Sequence, residues 1–158
     1  MAVTLLDAPA DGRLIDPDLF SDDRRHLCAS ICRVCDNLAF PAQGSCARCT
    51  GTDVEPILLE RRGRLWGYTI QRFVPKTPYL AADRPGGAPY GVGYVELADT
   101  EHRSTVLVES RLTVVDVDRL EVGLEMELAF ELLRAADGGD VWVFAFAPVG
   151  EAGEEVSS

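Results

Sequence analysis

This sequence predicts a mainly β protein in which a small metal-stapled ribbon precedes a compact barrel, and three observations predict it. Two Cys-x-x-Cys turns lie close together in the first third of the chain. From Ile57 onward, short runs of Val, Leu, Tyr, Trp and Phe alternate with turn residues, the pattern of half-buried strands. Helical periodicity is almost absent from that stretch. A chain of 158 residues has room for one ordinary domain, or for a small stapled module plus a barrel of about 100 residues, and the pattern selects the second.

The ribbon occupies residues 27–56 in this reading. Its turns are Cys32-Arg33-Val34-Cys35 and Cys46-Ala47-Arg48-Cys49, joined by an apolar link at Leu38 to Pro41. A Cys-x-x-Cys turn offers two sulfurs from one tight loop, and two such turns supply the tetrahedral thiolate set that zinc prefers. Cys32, Cys35, Cys46 and Cys49 are therefore the candidate ligands of one structural zinc ion. Two redox pairs would have to share the same spacing by coincidence. With four protein ligands the shell is closed, so the metal is expected to hold the fold and catalyse nothing. Knuckles often carry glycine just after the second cysteine, where the backbone turns left-handed. Here Asp36 and Thr50 stand there, which predicts a slight distortion of the second knuckle. The fifth cysteine, Cys28, is expected to be a buried strand thiol.

Ahead of the ribbon, residues 1–26 mix Pro9, Gly12 and Pro17 with aspartates and read as a docking arm or loosely packed tail. Asp16 or Ser21 would cap a short helix from Asp18 to about Arg25. Residues 57–149 carry the barrel strands: Ile57–Arg61, Arg64–Val74, Val92–Leu97, Thr105–Arg111, Met126–Leu132 and Val141–Ala147. A barrel rather than a flat sheet follows because strand edges must be paired or hidden. The connection from Pro75 to Gly91 is long and proline-rich, the kind of loop that often carries function. Residues 150–158 read as a disordered acidic tail.

Composition narrows the function. Apolar residues make up 47% and charged residues 26%, which suits a folded domain. The net charge of -11 argues against nucleic-acid binders, which neutralise phosphates with Lys and Arg. The N-terminus lacks a signal-peptide pattern and Val141 to Val149 is too short to span a bilayer, so a cytoplasmic protein with no membrane partner is expected. No catalytic residue is nominated. The only histidines, His26 and His102, lie in polar surroundings, and no glycine-rich phosphate loop opens a helix.

One region departs from the acidic background. Residues 57–90 hold Arg61, Arg62, Arg64, Arg72, Lys76 and Arg84 against only Glu60 and Asp83. A cationic patch of this kind suits the phosphates of a soluble cofactor such as coenzyme A, and Arg61, Arg62 and Lys76 are nominated on charge alone. Phe73, Tyr79 and Tyr90 add the aromatics that protein interfaces favour. The same residues also suit a plainer role, the arginines solubilising a strand and the tyrosines packing on the barrel.

The "LAFP" link with its two knuckles, then "GRLWGYTI", "PYGVGYVEL" and the closing "VWVFAFAP", together resemble the zinc-ribbon plus OB-fold proteins that accompany acyl-CoA enzymes. The likeness covers about residues 14 to 149. It implies a rubredoxin-like zinc ribbon followed by an OB-fold β-barrel. It also implies a non-catalytic accessory subunit that is required by a thiolase-like enzyme and docks on its catalytic subunit in a hetero-oligomer. A coenzyme A thioester would then lie at the interface of the two. Family members are associated with the benzylsuccinyl-CoA route, steroid side-chain cleavage by an aldolase and archaeal isoprenoid synthesis. Two other readings stay open: an OB-fold module binding single-stranded nucleic acid, against which the charge stands, and a carrier that binds acyl-CoA alone.

Overall fold

The computed structural model describes residues 4–73, 88–134 and 138–150. Among them nine strands run in order: β1 (Thr4–Leu5), β2 (Cys28–Cys32), β3 (Leu38–Ala39), β4 (Val54–Leu58), β5 (Arg62–Gln71), β6 (Tyr90–Ala98), β7 (Thr105–Leu112), β8 (Glu125–Arg134) and β9 (Asp140–Pro148). Helix is confined, among the described residues, to 3-10 turns at Pro17–Leu19 and Val117–Arg119, and no helix is long and apolar enough to cross a membrane.

Five strands close into the expected barrel. β5 pairs antiparallel with β6, β6 with β7, and β8 with β9. β7 meets β9 in parallel at Arg111↔Ala145 and Leu112↔Phe146, and β8 returns to β5 at Arg62↔Glu127 through Arg64↔Glu125. The circuit β5-β6-β7-β9-β8 is the connectivity of an OB-fold, with one parallel contact in an otherwise antiparallel barrel. Alternation sends Leu65, Val95, Leu97, Val108, Leu112, Met126, Leu128, Phe130 and Phe146 inward, each at most 2% exposed. Gly63 is needed where β5 crosses β6, because a Cβ there would sit 2.1 Å from the Glu96 carbonyl oxygen. Further along, β5 carries one extra residue between the pairs Leu65↔Val95 and Gly67↔Tyr94. Trp66, next to the inward Leu65, faces solvent by plain alternation.

The second sheet is the ribbon, with β2 between β3 and β4. Here the structure departs from the sequence expectation. Ile57 and Leu58 were expected in the first barrel strand, yet they pair with Ala29 and Cys28 in the ribbon sheet, and the barrel begins at Arg62. The crossing between them is pinned by Leu59, fully buried, whose N–H donates to the Leu27 carbonyl, and by the Glu60 N–H donating to Ala98. Ala29, Ile31 and Leu38 of the ribbon share one core with the barrel. Phe40 packs edge-on against Phe144 at 5.8 Å.

The arm also differs from expectation. No helix spans Asp18 to Arg25: Asp16 caps a single turn begun by Pro17, and Arg24 takes a left-handed φ of 59° that breaks any continuation. Nor is the arm loose. β1 lies on β8 at Thr4↔Glu131 and Leu5↔Phe130, Leu14 bridges to Trp142, and Phe20 bridges to Leu27. Phe20 stacks 5.4 Å from Phe130, so the arm contributes to the barrel core. Arg24 holds the bend by donating to the carbonyls of Pro9 and Gly12.

Candidate metal centre

β2 ends at Cys32, and the chain then makes the same turn twice. The Asp36 N–H donates 2.9 Å to the Cys32 carbonyl, and the Thr50 N–H donates 2.9 Å to that of Cys46. Asp36 has a φ of 59° and Thr50 one of 63°. Both non-glycine residues thus adopt the left-handed geometry that a knuckle requires, and the distortion expected of the second knuckle is not seen in its backbone. For a β-branched Thr this is an uncommon conformation. The four sulfurs all lie within 4.8 Å of one another, with Cys32 3.6 Å from Cys49 and Cys35 3.6 Å from Cys46. A zinc–sulfur bond of about 2.3 Å places tetrahedral sulfurs about 3.8 Å apart, so the cluster has the dimensions of a four-thiolate site. Cys32 and Cys46 are buried, Cys35 is half-buried and Cys49 is exposed.

The thiols do not titrate alike. The N–H of Cys49, which donates 3.4 Å to the Cys46 sulfur, acts with that of Arg48 to bring the Cys46 thiol down to about 6. Cys35 moves the other way, to about 11: the Asn37 N–H favours its thiolate, but burial and the facing sulfurs outweigh that. Four crowded sulfurs cannot all ionise without a cation among them, and a bound divalent metal would supply that charge. Cys28 lies outside the cluster. It is half-buried on β2, and burial followed by nearby Asp22 raises its thiol.

The metal end of the ribbon is tied to the barrel by Arg103, in the turn between β6 and β7. Its guanidinium reaches Asp36 at 2.7 Å and Glu55 at 2.9 Å. These carboxylates hold Arg103 well above the usual guanidinium range, and Arg103 with Arg33 holds Glu55 below the usual carboxylate range. The turn itself is organised by Asp99, fully buried, whose carboxylate accepts from the N–H groups of Glu101, Arg103 and Ser104 at 2.8 to 3.0 Å.

The residues nominated for coenzyme A and for a partner are placed apart. Arg61 is mostly buried and spends its donors within the chain, on the carbonyls of Leu6, Arg25 and Leu128, with Asp7 beside it. It braces the arm. Arg62 is exposed, 3.4 Å from Glu127. Phe73 is 62% exposed, whereas Tyr90 is 5% exposed with the Arg111 guanidinium 5.1 Å over its ring, so Tyr90 is not the exposed aromatic the sequence suggested. Lys76 and Tyr79 lie outside the described residues. His26 bonds the Leu59 carbonyl at 2.8 Å, and His102 is 3.3 Å from Glu60.

Two features escaped the sequence reading. Arg111 on β7 and Glu131 on β8 form a buried ion pair at 3.1 Å. Trp66 and Tyr94 form an edge-on pair at 6.5 Å on the outside of the barrel. Alternation puts each ring on the outer face beside an inward neighbour, Leu65 or Val95, but only the register of β5 on β6 brings the two together.

A four-sulfur ribbon sharing a core with an OB-fold barrel defines the class of protein. Comparison with known proteins agrees. Residues 57–131 match the family described as the ChsH2 C-terminal OB-fold domain. The chain is 30% identical over 128 residues to a DUF35 domain-containing scaffold protein of Methanothermobacter thermautotrophicus, covering 79% of this chain and 88% of that one. The chain belongs to the DUF35 domain family. It is also 30% identical, over 60% of its length, to the benzoylsuccinyl-CoA thiolase subunit BbsA of Thauera aromatica, a benzoylsuccinyl rather than benzylsuccinyl thioester. That match spans about half of the relative, 54%. Among solved structures, the Ltp2-ChsH2(DUF35) aldolase matches with a TM-score of 0.53 at 24% identity, covering 78% of this chain and 85% of that one, and supports the fold.

Proposed function

We propose that this chain is a non-catalytic accessory subunit of a thiolase-like enzyme acting on acyl-CoA thioesters. In this reading it docks on the catalytic subunit in a hetero-oligomer and helps to hold coenzyme A. The observation that carries it is the four-sulfur cluster in a DUF35 chain: the cysteines converge on each other, within 4.8 Å, in a closed set that leaves no ligand position for substrate. Relatives that bear the names of a thiolase subunit and a scaffold protein support the same assignment. Chemistry on the thioester then falls to the partner.

Zinc is the metal we assign to Cys32, Cys35, Cys46 and Cys49, and when bound it supplies a closed, redox-inert charge centre that locks the knuckles. For coenzyme A the reading narrows to Arg62 and Lys76, since Arg61 is committed to the arm. Phe73, exposed where β5 leads toward Lys76, stays with them as an edge of the docking surface. The single-strand reading is weaker, because a net charge of -11 opposes phosphate.

Co-expression with the thiolase homologues of the same genome tests the proposal. A stable complex, with thiolytic or aldol activity dependent on this chain, is the expected result. Separate elution together with full activity of the thiolase alone would end it.

A further inference from the structure

The face of the barrel formed by β5, β6 and β7 carries a surface apart from the metal centre; of the cationic stretch, Arg64 stands opposite Glu96 there, its guanidinium donating 3.0 Å to the Gly123 carbonyl. Trp66 stands at the bulge in β5 on that face, where it is 59% exposed beside Tyr94 at 42%. The rings meet edge-on, 6.5 Å apart at 87°. Alternation puts Glu96 two residues along β6 on the same side, and across β7 the facing residues are Glu109, opposite Tyr94, and Leu107, opposite Glu96 and 37% exposed. Both carboxylates are exposed, and neither makes a hydrogen bond or ion pair among the described residues.

An exposed aromatic pair is expensive to leave in water and is what the centre of a recognition surface contains. On an OB-fold such rings could stack nucleic-acid bases, but the unpaired Glu96 and Glu109 would face the phosphates of a strand. The same groups suit a cation. The faces of Trp and Tyr attract ammonium and guanidinium groups, and a carboxylate on either side completes the charge match. A free small cation would find the site open to solvent, whereas a protein surface also covers the rings and Leu107.

We propose that Trp66, Tyr94, Leu107, Glu96 and Glu109 form the surface that binds a protein partner presenting lysine or arginine among apolar side chains. Resting on the function proposed above, that partner is the thiolase-like catalytic subunit. The outer side of β5–β7 then carries the main docking face, in addition to the exposed Phe73 edge past the end of β5.

The test measures affinity of the full chain for the co-expressed thiolase-like subunit by surface capture, over a salt series. Three variants are compared with the wild type: Trp66→Ala with Tyr94→Ala, Glu96→Lys with Glu109→Lys, and Val34→Ser as a control on the exposed knuckle. Thermal melts confirm that each is folded, and the charge pair probes the face independently should the aromatic pair fail to fold. The aromatic pair is expected to weaken binding about thirtyfold or more, as loss of an interface anchor does. The charge reversal is expected to weaken it too and to abolish its salt dependence, with Val34→Ser unchanged. Wild-type affinity in both face variants overturns the assignment of this face and leaves the accessory-subunit reading intact. No binding by the wild type overturns both. Sedimentation showing a homodimer that Trp66→Ala disperses, or oligo-dT binding that Trp66→Ala removes, overturns it in favour of self-association or a single strand.

Discussion

The knuckle end of the ribbon and the barrel are held together by different physics. Inside the barrel, side chains such as Phe130, Phe146, Leu97 and Val95 are wholly withdrawn from water, so burial of apolar surface sustains the fold. Between Arg33 and Asp53, only Leu38 and Cys46 are buried among the apolar residues. The knuckles therefore have almost no core and depend on four sulfurs. The contrast teaches that so short a segment lacks the burial that sustains the barrel, and in the function proposed above a bound metal replaces it.

Removing a ligand gives the largest expected effect. Cys46→Ser forfeits a metal-binding free energy on the order of 10 kcal/mol, which in such sites is also folding free energy. We expect no bound metal and rapid tryptic cleavage at the exposed knuckle arginines Arg33 and Arg48, with the barrel still protected. Metal analysis and limited proteolysis read this directly. A variant that keeps its metal and resists trypsin would remove the distinction between the two regions.

The opposite perturbation comes next. Phe146 is fully buried on β9, and Phe146→Ala should cost about 3–5 kcal/mol through the lost contacts and the cavity left behind. Urea denaturation measures that loss. Metal content of the folded variant should match the wild type, because the cluster draws no support from Phe146. A fall in metal content before the barrel unfolds would mean that the two regions are one cooperative unit.

What could be read in the sequence follows the same division. The four-sulfur cluster was legible because it is built locally: each knuckle is four residues long, and spacing alone presents the sulfurs. The barrel strands were legible from alternation. The affiliation of Ile57 and Leu58 was not, since their apolar character suits either sheet and only the fully buried Leu59 decides where the chain crosses. The Trp66–Tyr94 pair was not legible either, since only the register of β5 on β6 brings the two rings together. Arg103 was hidden by distance, because its partner Asp36 is 67 residues away and a charged turn reads locally as solvated surface. The arm misled for a related reason: its helix-capping signal at Asp16 is real, but Leu14 and Phe20 are held by the barrel and leave only one turn.

The seam between the two regions gives the smallest and most informative change. Asp99 shapes the turn that carries Arg103 to Asp36 and Glu55. Burial by itself would raise its carboxyl, but the N–H groups of Ser104, Arg103 and Glu101 overcome that and hold it below the usual range. Because the folded value lies below the unfolded one, about 3.9, its stabilisation is present above that pH and is lost as the pH falls through the lowered value. Asp99→Asn keeps the shape but removes the charge and turns one of the two accepting oxygens into an amide NH2 that cannot accept, so it should cost about 2 kcal/mol at neutral pH, the worth of hydrogen bonds to an ionised group. Urea midpoints taken from pH 7 down to 3 should show the gap between wild type and variant closing only below about pH 4. A gap that stays constant over that range would mean that the lost acceptor oxygen and not the charge carries the effect, so that the ionisation of Asp99 adds nothing to the seam that Phe40 and Phe144 also pack.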